Sequence, residues 1–267
     1  MIISPTNKFI FFKPLKTAGS SVEFALALSC GPDDILTGGT EEEEKEGHTH
    51  QNNVILDEKS GRFTINFHSH ATPEIIEKRF KPNDWKELET YTWITMVRNP
   101  WDAVVSYYWW ICAEKPNKNK HLIINKKDSK KEAVEKFSKM CLTFKTKIAG
   151  VENESSYDNC CAYEYVKKYN TACADPRIDH YIRYEHLEQD FKHVVNTLSL
   201  YNVELPRFKT SQNKLKKHYS YYYNETTKNL IHNEFKDYIE KFDYKFENKT
   251  TKLSRRDRAK RRKDKKR

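Results

Sequence analysis

Lys8-Phe9-Ile10-Phe11-Phe12-Lys13-Pro14-Leu15-Lys16-Thr17-Ala18-Gly19-Ser20-Ser21 passes from an aromatic apolar block, through a Lys-Pro step, into a loop of small polar residues. Residues 8–12 are too few and too aromatic for a helix and read as a buried strand. Beyond the loop, Ser20-Ser21-Val22-Glu23 has the serine-to-glutamate spacing of a capping box, and Val22, Phe24, Ala25, Leu26 and Leu28 continue as an apolar helix. Strand, loop, helix puts the unpaired N–H groups of a helix start on the loop, which suits an anion and makes the segment a candidate phosphate cradle. The Gly-Lys-Ser/Thr order of a Walker A loop is missing. Lys16 still offers a mobile charge with three donors, beside the Ser20 and Ser21 hydroxyls. Taken alone, the segment is equally an ordinary capped helix after a strand.

The pattern returns further along. Residues 91–97 are β-branched and aromatic, Arg98-Asn99-Pro100 makes a turn, and residues 101–111 read as an aromatic-rich helix. Ser106 follows Arg98 by two helical turns, so both can reach one phosphate, Arg98 by its fork and Ser106 by its hydroxyl. The other reading is a surface arginine and an incidental serine. Outward from these two units, strands are expected at 62–67 and 179–184. Helices are expected from Thr72-Pro73, over 131–141, 159–169 and 188–200, and as one long amphipathic helix over 226–242. Residues 31–62, with Gly38-Gly39 and the acidic run from Glu41 to Glu44, read as a long exposed loop in which His48 and His50 are bystanders. No internal repeat or Gly/Ser linker divides the chain, so the expectation is one α/β domain over 1–250 and a basic, disordered tail over 251–267.

Composition sets limits on function. A mean hydropathy of -0.91 with 13% aromatic residues describes a folded, water-facing protein. The formal charge is +10, but residues 252–267 carry eleven Lys or Arg against two Asp, a net of +9, which leaves the body at +1. Anionic contacts through the tail are therefore separate from the chemistry of the body. No apolar run has the length of a membrane span or signal-peptide core, so the expected location is cytoplasmic. Six cysteines without a C-x-x-C pair indicate neither zinc nor a thioredoxin-like centre, and Cys160-Cys161 reads as two reduced thiols on a helix.

With both loops in view, the chain resembles the sulfotransferases that use 3'-phosphoadenosine 5'-phosphosulfate (PAPS), in the carbohydrate branch that includes heparan sulfate 2-O-sulfotransferase and bacterial relatives. Lys16-Thr17-Ala18-Gly19-Ser20-Ser21 resembles their 5'-phosphosulfate loop, and Val97-Arg98-Asn99-Pro100-Trp101-Asp102 with Ser106 resembles their 3'-phosphate motif. Phe67-His68-Ser69-His70-Ala71-Thr72, Ile182-Arg183-Tyr184-Glu185-His186-Leu187, and the stretch from His218-Tyr219 to Phe242-Asp243-Tyr244 extend the likeness over most of 8–247. The resemblance implies a P-loop-like central parallel sheet flanked by helices, with PAPS at the strand carboxyl ends.

It also implies roles. Lys16 would stabilise the departing phosphate, Thr17, Ala18, Gly19, Ser20 and Ser21 would hold the 5'-phosphate, and Arg98 and Ser106 would bind the 3'-phosphate. Lys214 and Lys217 are weaker candidates for phosphate contact. His70 would be the base for an acceptor hydroxyl, most simply on a glycan, and is favoured over His68 because alternation in a strand end would send the two rings to opposite sides. Sulfuryl transfer of this kind requires no metal. Two other classes stay open: a P-loop-type nucleotide phosphotransferase, and a nucleic-acid-binding protein acting through the tail.

Overall fold

In the computed structural model, which describes residues 1–37, 50–57, 62–65, 67–114, 120–143, 145–146, 160–201, 203–206 and 215–249, the chain opens with an antiparallel pair, β1 (Ile2–Ser4) and β2 (Phe9–Phe12). α1 (Gly19–Ala27), β3 (Ile35–Thr37), β4 (His50–Gln51), and a separate ladder of β5 (Val54–Asp57) and β6 (Arg62–Ile65) follow. Next come α2 (Pro73–Arg79), α3 (Pro82–Leu88), β7 (Thr92–Val97) and α4 (Pro100–Glu114). The remainder is α5 (Lys130–Thr143), β8 (Lys145–Thr146), β9 (Cys160–Cys161), α6 (Ala162–Ala172), β10 (His180–Arg183), α7 (Leu187–Thr197), α8 (Glu225–Glu234) and α9 (Lys236–Lys241).

The main sheet is open, with strand order β10-β7-β2-β1-β3-β4. β2, β7 and β10 run parallel, with Phe12 opposite Thr95 and Arg183 opposite Val97, so their carboxyl ends share one edge. The other half is antiparallel, because β1 returns against β2 and β3 against β1. The fold is thus mixed α/β, parallel only where the candidate loops emerge. The period of two in each strand sets the layers. Phe9, Phe11, Ile94 and Met96 pack with Val22 and Leu26 of α1 and Phe191 and Val194 of α7. Ile10, Phe12 and Trp93 face the other way, against Phe67, Ile76 of α2 and Leu88 of α3. Removing each such side chain from water contributes about 1.5–3 kcal/mol. A third cluster surrounds the aromatic α4, where Tyr108, Trp109, Phe137, Tyr222 and Phe235 are buried together.

Several expectations change. Strands β3, β4 and β5 lie within the segment read as a loop over 31–62; β3 is held there by pairing with β1, a strand too short to show in the sequence. The expected strand at 62–67 ends at Ile65 and pairs with β5 outside the main sheet. Cys160 and Cys161 sit on β9, paired with β8, and not on a helix. The long helix expected over 226–242 is broken at Phe235 (φ -108°, ψ 21°), although Thr227, Ile231, Tyr238 and Ile239 keep one buried stripe across the break. Cys30, Cys112, Cys141 and Cys173 are free thiols. His48, Gly38-Gly39, the acidic run, Lys214 and the tail over 251–267 lie outside the described residues.

Candidate functional site

The loop after β2 has an unusual backbone. Lys16 has φ 59° and Ala18 has φ 69°, both in the left-handed region, at a cost of about 1–2 kcal/mol each for a non-glycine residue. Left-handed residues alternating along a turn aim successive N–H groups into one concavity, which suits an anion. Three contacts hold the shape. Thr17 Oγ1 donates to the Pro14 carbonyl (3.1 Å), Leu15 N donates to Asn170 Oδ1 of α6 (3.0 Å), and Ser21 N donates to the Ala18 carbonyl (3.1 Å). Gly19 opens α1 under the Lys13 side chain, where any Cβ would collide with Lys13 Cγ. Lys16, Ala18 and Ser20 remain partly exposed, while Thr17, Gly19 and Ser21 are buried.

The expected capping box does not form. Ala18 is the residue before the helix and its side chain makes no cap; Glu23 turns inward instead. It is 2% exposed and accepts from the buried Lys13 ammonium (2.5 Å) and from the amino group of Met1. Burial alone would raise its pKa, but these two cations outweigh burial and hold it below the usual carboxylate range. A buried lysine without a carboxylate costs more than an uncapped helix start, so the inward position wins.

His70 is fixed from the same loop. Asn53 clamps the Phe67 backbone through both amide atoms (2.7 and 2.9 Å), and the turn that follows carries His68 and His70 outside any strand. The rings therefore do not alternate. Both lie against Tyr169, with centroids 5.8 and 5.9 Å from its ring. Their partners separate them where alternation does not. His68 Nδ1 accepts from the His70 backbone N–H (3.1 Å), which places its proton on Nε2. His70 Nδ1 lies 2.6 Å from the Lys13 carbonyl, an acceptor only, so Nδ1 carries the proton and Nε2 keeps its lone pair. Burial, and then the Lys13 ammonium, lower the His70 pKa to about 3. Its ordinary value is near 6.5, so between these values the unfolded chain binds the extra proton and stability falls as pH falls. From pH 6.5 to 5, the unfolding free energy read from denaturant titrations is expected to drop by up to about 1.4 kcal/mol per pH unit from this group. His218, also depressed by burial, adds to the slope. His70→Asn should flatten the slope, and an unchanged slope would refute the account.

Arg98 joins the two loops. It is 8% exposed, donates through Nε and Nη2 to Asp102 Oδ2 (3.0 and 2.8 Å) and through Nη1 to the Lys16 carbonyl (2.5 Å). Its guanidinium lies over Tyr184 at 3.7 Å from the ring centroid. Among the described residues, three of its five N–H groups are thus engaged, leaving one on each Nη. On α4 the residues not buried between Trp101 and Trp110 are Asp102, Ser106 and Trp110, four apart and on one face. Asp102 holds Arg98 at one end of this face, and the Lys16 ammonium lies 5.3 Å from the Trp110 ring at the other. Ser106 sits between them. The structure thereby gathers Lys16, Arg98 and Ser106 along one side of α4, at the carboxyl ends of β2 and β7. Lys217 instead lies over Tyr221, a ring it shares with Lys130 at the start of α5.

Sequence reasoning missed the supports: Asp102 and Tyr184 at Arg98, Trp110 at Lys16, Asn170 at Leu15, and Glu185, whose carboxylate accepts from Asn99 N (2.8 Å). Only the four-residue spacing of Arg98 and Asp102 was a local signal. A depression of about 530 Å³ at the amino-terminal end of β7 is bounded by Trp93 and Arg177, but that arginine is already tied to Asp175 and Glu77. Among the described residues, no group of three or more His, Cys, Asp or Glu could hold a metal ion, and no helix is long and apolar enough to cross a membrane. Comparison with protein-family models, curated proteins and solved structures finds no match for this chain.

Proposed function

We propose that the protein is a sulfotransferase that moves a sulfuryl group from PAPS to an acceptor hydroxyl, with the parallel strands β2, β7 and β10 as a P-loop-like core. The observation that carries this reading is the left-handed pair Lys16 and Ala18, which builds an anion cradle tied by Arg98 to a second cationic point. A donor with separate anionic groups at its 5' and 3' ends suits two such points. The residues from Lys16 to Ser21 would hold the 5'-phosphate, and Arg98, with its two remaining N–H groups, would hold the 3'-phosphate beside Ser106.

PAPS supplies an activated sulfuryl group when bound. His70 Nε2 takes the proton of the acceptor hydroxyl as its oxygen bonds to sulfur. Lys16 stays beside the phosphate oxygen whose bond to sulfur breaks, and stabilises the charge left there. Anionic donor groups near His70 offset the depressing effect of Lys13 and bring the imidazole closer to a useful basicity. A glycan hydroxyl is the acceptor we favour.

Calorimetry with 3'-phosphoadenosine 5'-phosphate, AMP, and ATP with magnesium tests the donor without an acceptor. The 3'-phosphorylated nucleotide should bind tightest, and Arg98→Ala should weaken it by about 10–100-fold, the size of one charge-assisted contact. Preference for ATP with magnesium, or indifference to Arg98→Ala, would replace this reading with a phosphotransferase.

A further inference from the structure

An arc of aromatic rings runs from α4 to α6. Trp110 stacks on Tyr107 (5.5 Å between centroids), Tyr107 meets Tyr165 (5.5 Å), Tyr165 meets Tyr169 (5.0 Å), and Tyr169 meets His70 (5.9 Å). Both ends of the arc return to the same short loop: Trp110 at the Lys16 ammonium, His70 at the Lys13 carbonyl. Four loop residues span at most about 14 Å, so the loop and the arc border one small area. Tyr107 and Tyr169 are buried behind it, whereas Trp110 is 36% exposed and Tyr165 is half-buried.

A second feature belongs to the same place. Asn170, next to Tyr169, is 2% exposed and its Oδ1 accepts from Leu15 N, which fixes the orientation of the amide. Its Nδ2 is buried without a hydrogen-bond partner among the described residues. A buried donor left unmatched is uncommon and needs an explanation, and a ligand oxygen is one.

We infer that Trp110 and Tyr165 are the acceptor platform, seating a pyranoside ring face-on between Lys16 and His70. This rests on the sulfotransferase reading, which requires the acceptor oxygen to lie between the residue beside the leaving phosphate and the base. An electron-rich aromatic face attracts the C–H bonds of a sugar ring, polarised by their neighbouring oxygens, while the ring's hydroxyls stay free at its rim. One of those hydroxyls then meets His70 Nε2, and a second oxygen can accept from Asn170 Nδ2 after a small movement. A pair of aromatic rings bridged by Tyr107 and flanked by hydrogen-bonding groups at one end selects by ring face and leaves the rest of the acceptor unspecified.

Transfer from radiolabelled PAPS to oligosaccharides with blocked reducing ends, neutral and uronic-acid-containing, is measured beside p-nitrophenol and a tyrosine peptide. An oligosaccharide should be the substrate. Tyr165→Ala should raise its KM about tenfold or more, with kcat and the affinity for 3'-phosphoadenosine 5'-phosphate changed less than about threefold. Trp110→Ala, which also removes the ring beside the Lys16 ammonium, should raise KM as much and lower kcat as well, and Trp110→Phe should recover most of both losses. Leu142→Ala, at an exposed position of α5 that none of these contacts uses, should change none of these. Transfer to the phenols alone, transfer to no oligosaccharide, or an unchanged KM in both alanine variants would overturn the platform. Failure of the wild-type protein to bind 3'-phosphoadenosine 5'-phosphate would instead sink the donor reading, and the two failures are told apart by that single titration.

Discussion

His70→Asn is expected to lower turnover by about 10²–10⁴-fold while leaving affinity for 3'-phosphoadenosine 5'-phosphate within about threefold, measured by rate assay and calorimetry on the same preparation. Asparagine is the informative replacement because its amide N–H can still reach the Lys13 carbonyl that the imidazole bonds at 2.6 Å. The turn and the loop are then retained, and what disappears is the lone pair on Nε2. A variant that keeps more than a tenth of wild-type turnover would remove His70 from the chemistry. His68→Asn makes the contrast: its Nδ1 already accepts from the backbone, so the loss there is one of alignment and should be smaller. The two substitutions alter neighbouring histidines against the same tyrosine, which makes their difference diagnostic of proton position.

The largest effect on stability should come from Glu23→Ala. Glu23 is buried between the Lys13 ammonium and the Met1 amino group, so its removal deprives two buried cations of the carboxylate they share. Breaking a buried pair from one side costs about 3–5 kcal/mol, and for a chain of this size each kcal/mol lowers Tm by about 2–4 °C, so a drop near 10 °C is expected. Glu23→Leu combined with Lys13→Met should recover part of the loss, because the lysine charge is gone, while the Met1 amino group still lacks its carboxylate and keeps the Thr37 hydroxyl and the Ser69 carbonyl as partners. Thermal unfolding of the two variants decides the matter; a loss below about 1 kcal/mol for Glu23→Ala would mean that water or another group compensates. The effect also reaches the site, since Lys13 contributes both the carbonyl that orients His70 and the stem that packs over Gly19.

How much of this was readable beforehand differs by element. β2 and β7 were legible because a strand buried on both faces is written as an unbroken apolar run, and α4 because Pro100 and an aromatic stripe announce it. β1 was not, since its three residues form a strand only by pairing with β2 and β3. Glu23 fits a capping box in sequence, and nothing local tells that a buried lysine ten residues earlier will claim it. The loop residues Lys16 and Ala18 were found from their neighbourhood, whereas their left-handed backbone has no signature when neither is glycine. Asp102, Tyr184 and Trp110 act on Lys16 and Arg98 through tertiary contacts, and only Asp102 stands at a spacing that sequence alone could have used.

The arrangement of the sheet also dictates an order of assembly. β1 and β2 are neighbours in the chain and close a short hairpin early, but β2 meets β7 across 83 residues and β7 meets the start of β10 across 86. The Asn99 side chain then waits for the carbonyl of Lys245, 146 residues onward. Loops that span such separations close late, after local structure has formed. During synthesis, therefore, the amino-terminal hairpin can be in place long before the Arg98 turn acquires its last neighbours. A chain halted anywhere before Lys245 would carry the Arg98 turn without the carbonyl that Asn99 bonds, so the second cationic point should be the last part of the site to take its native shape.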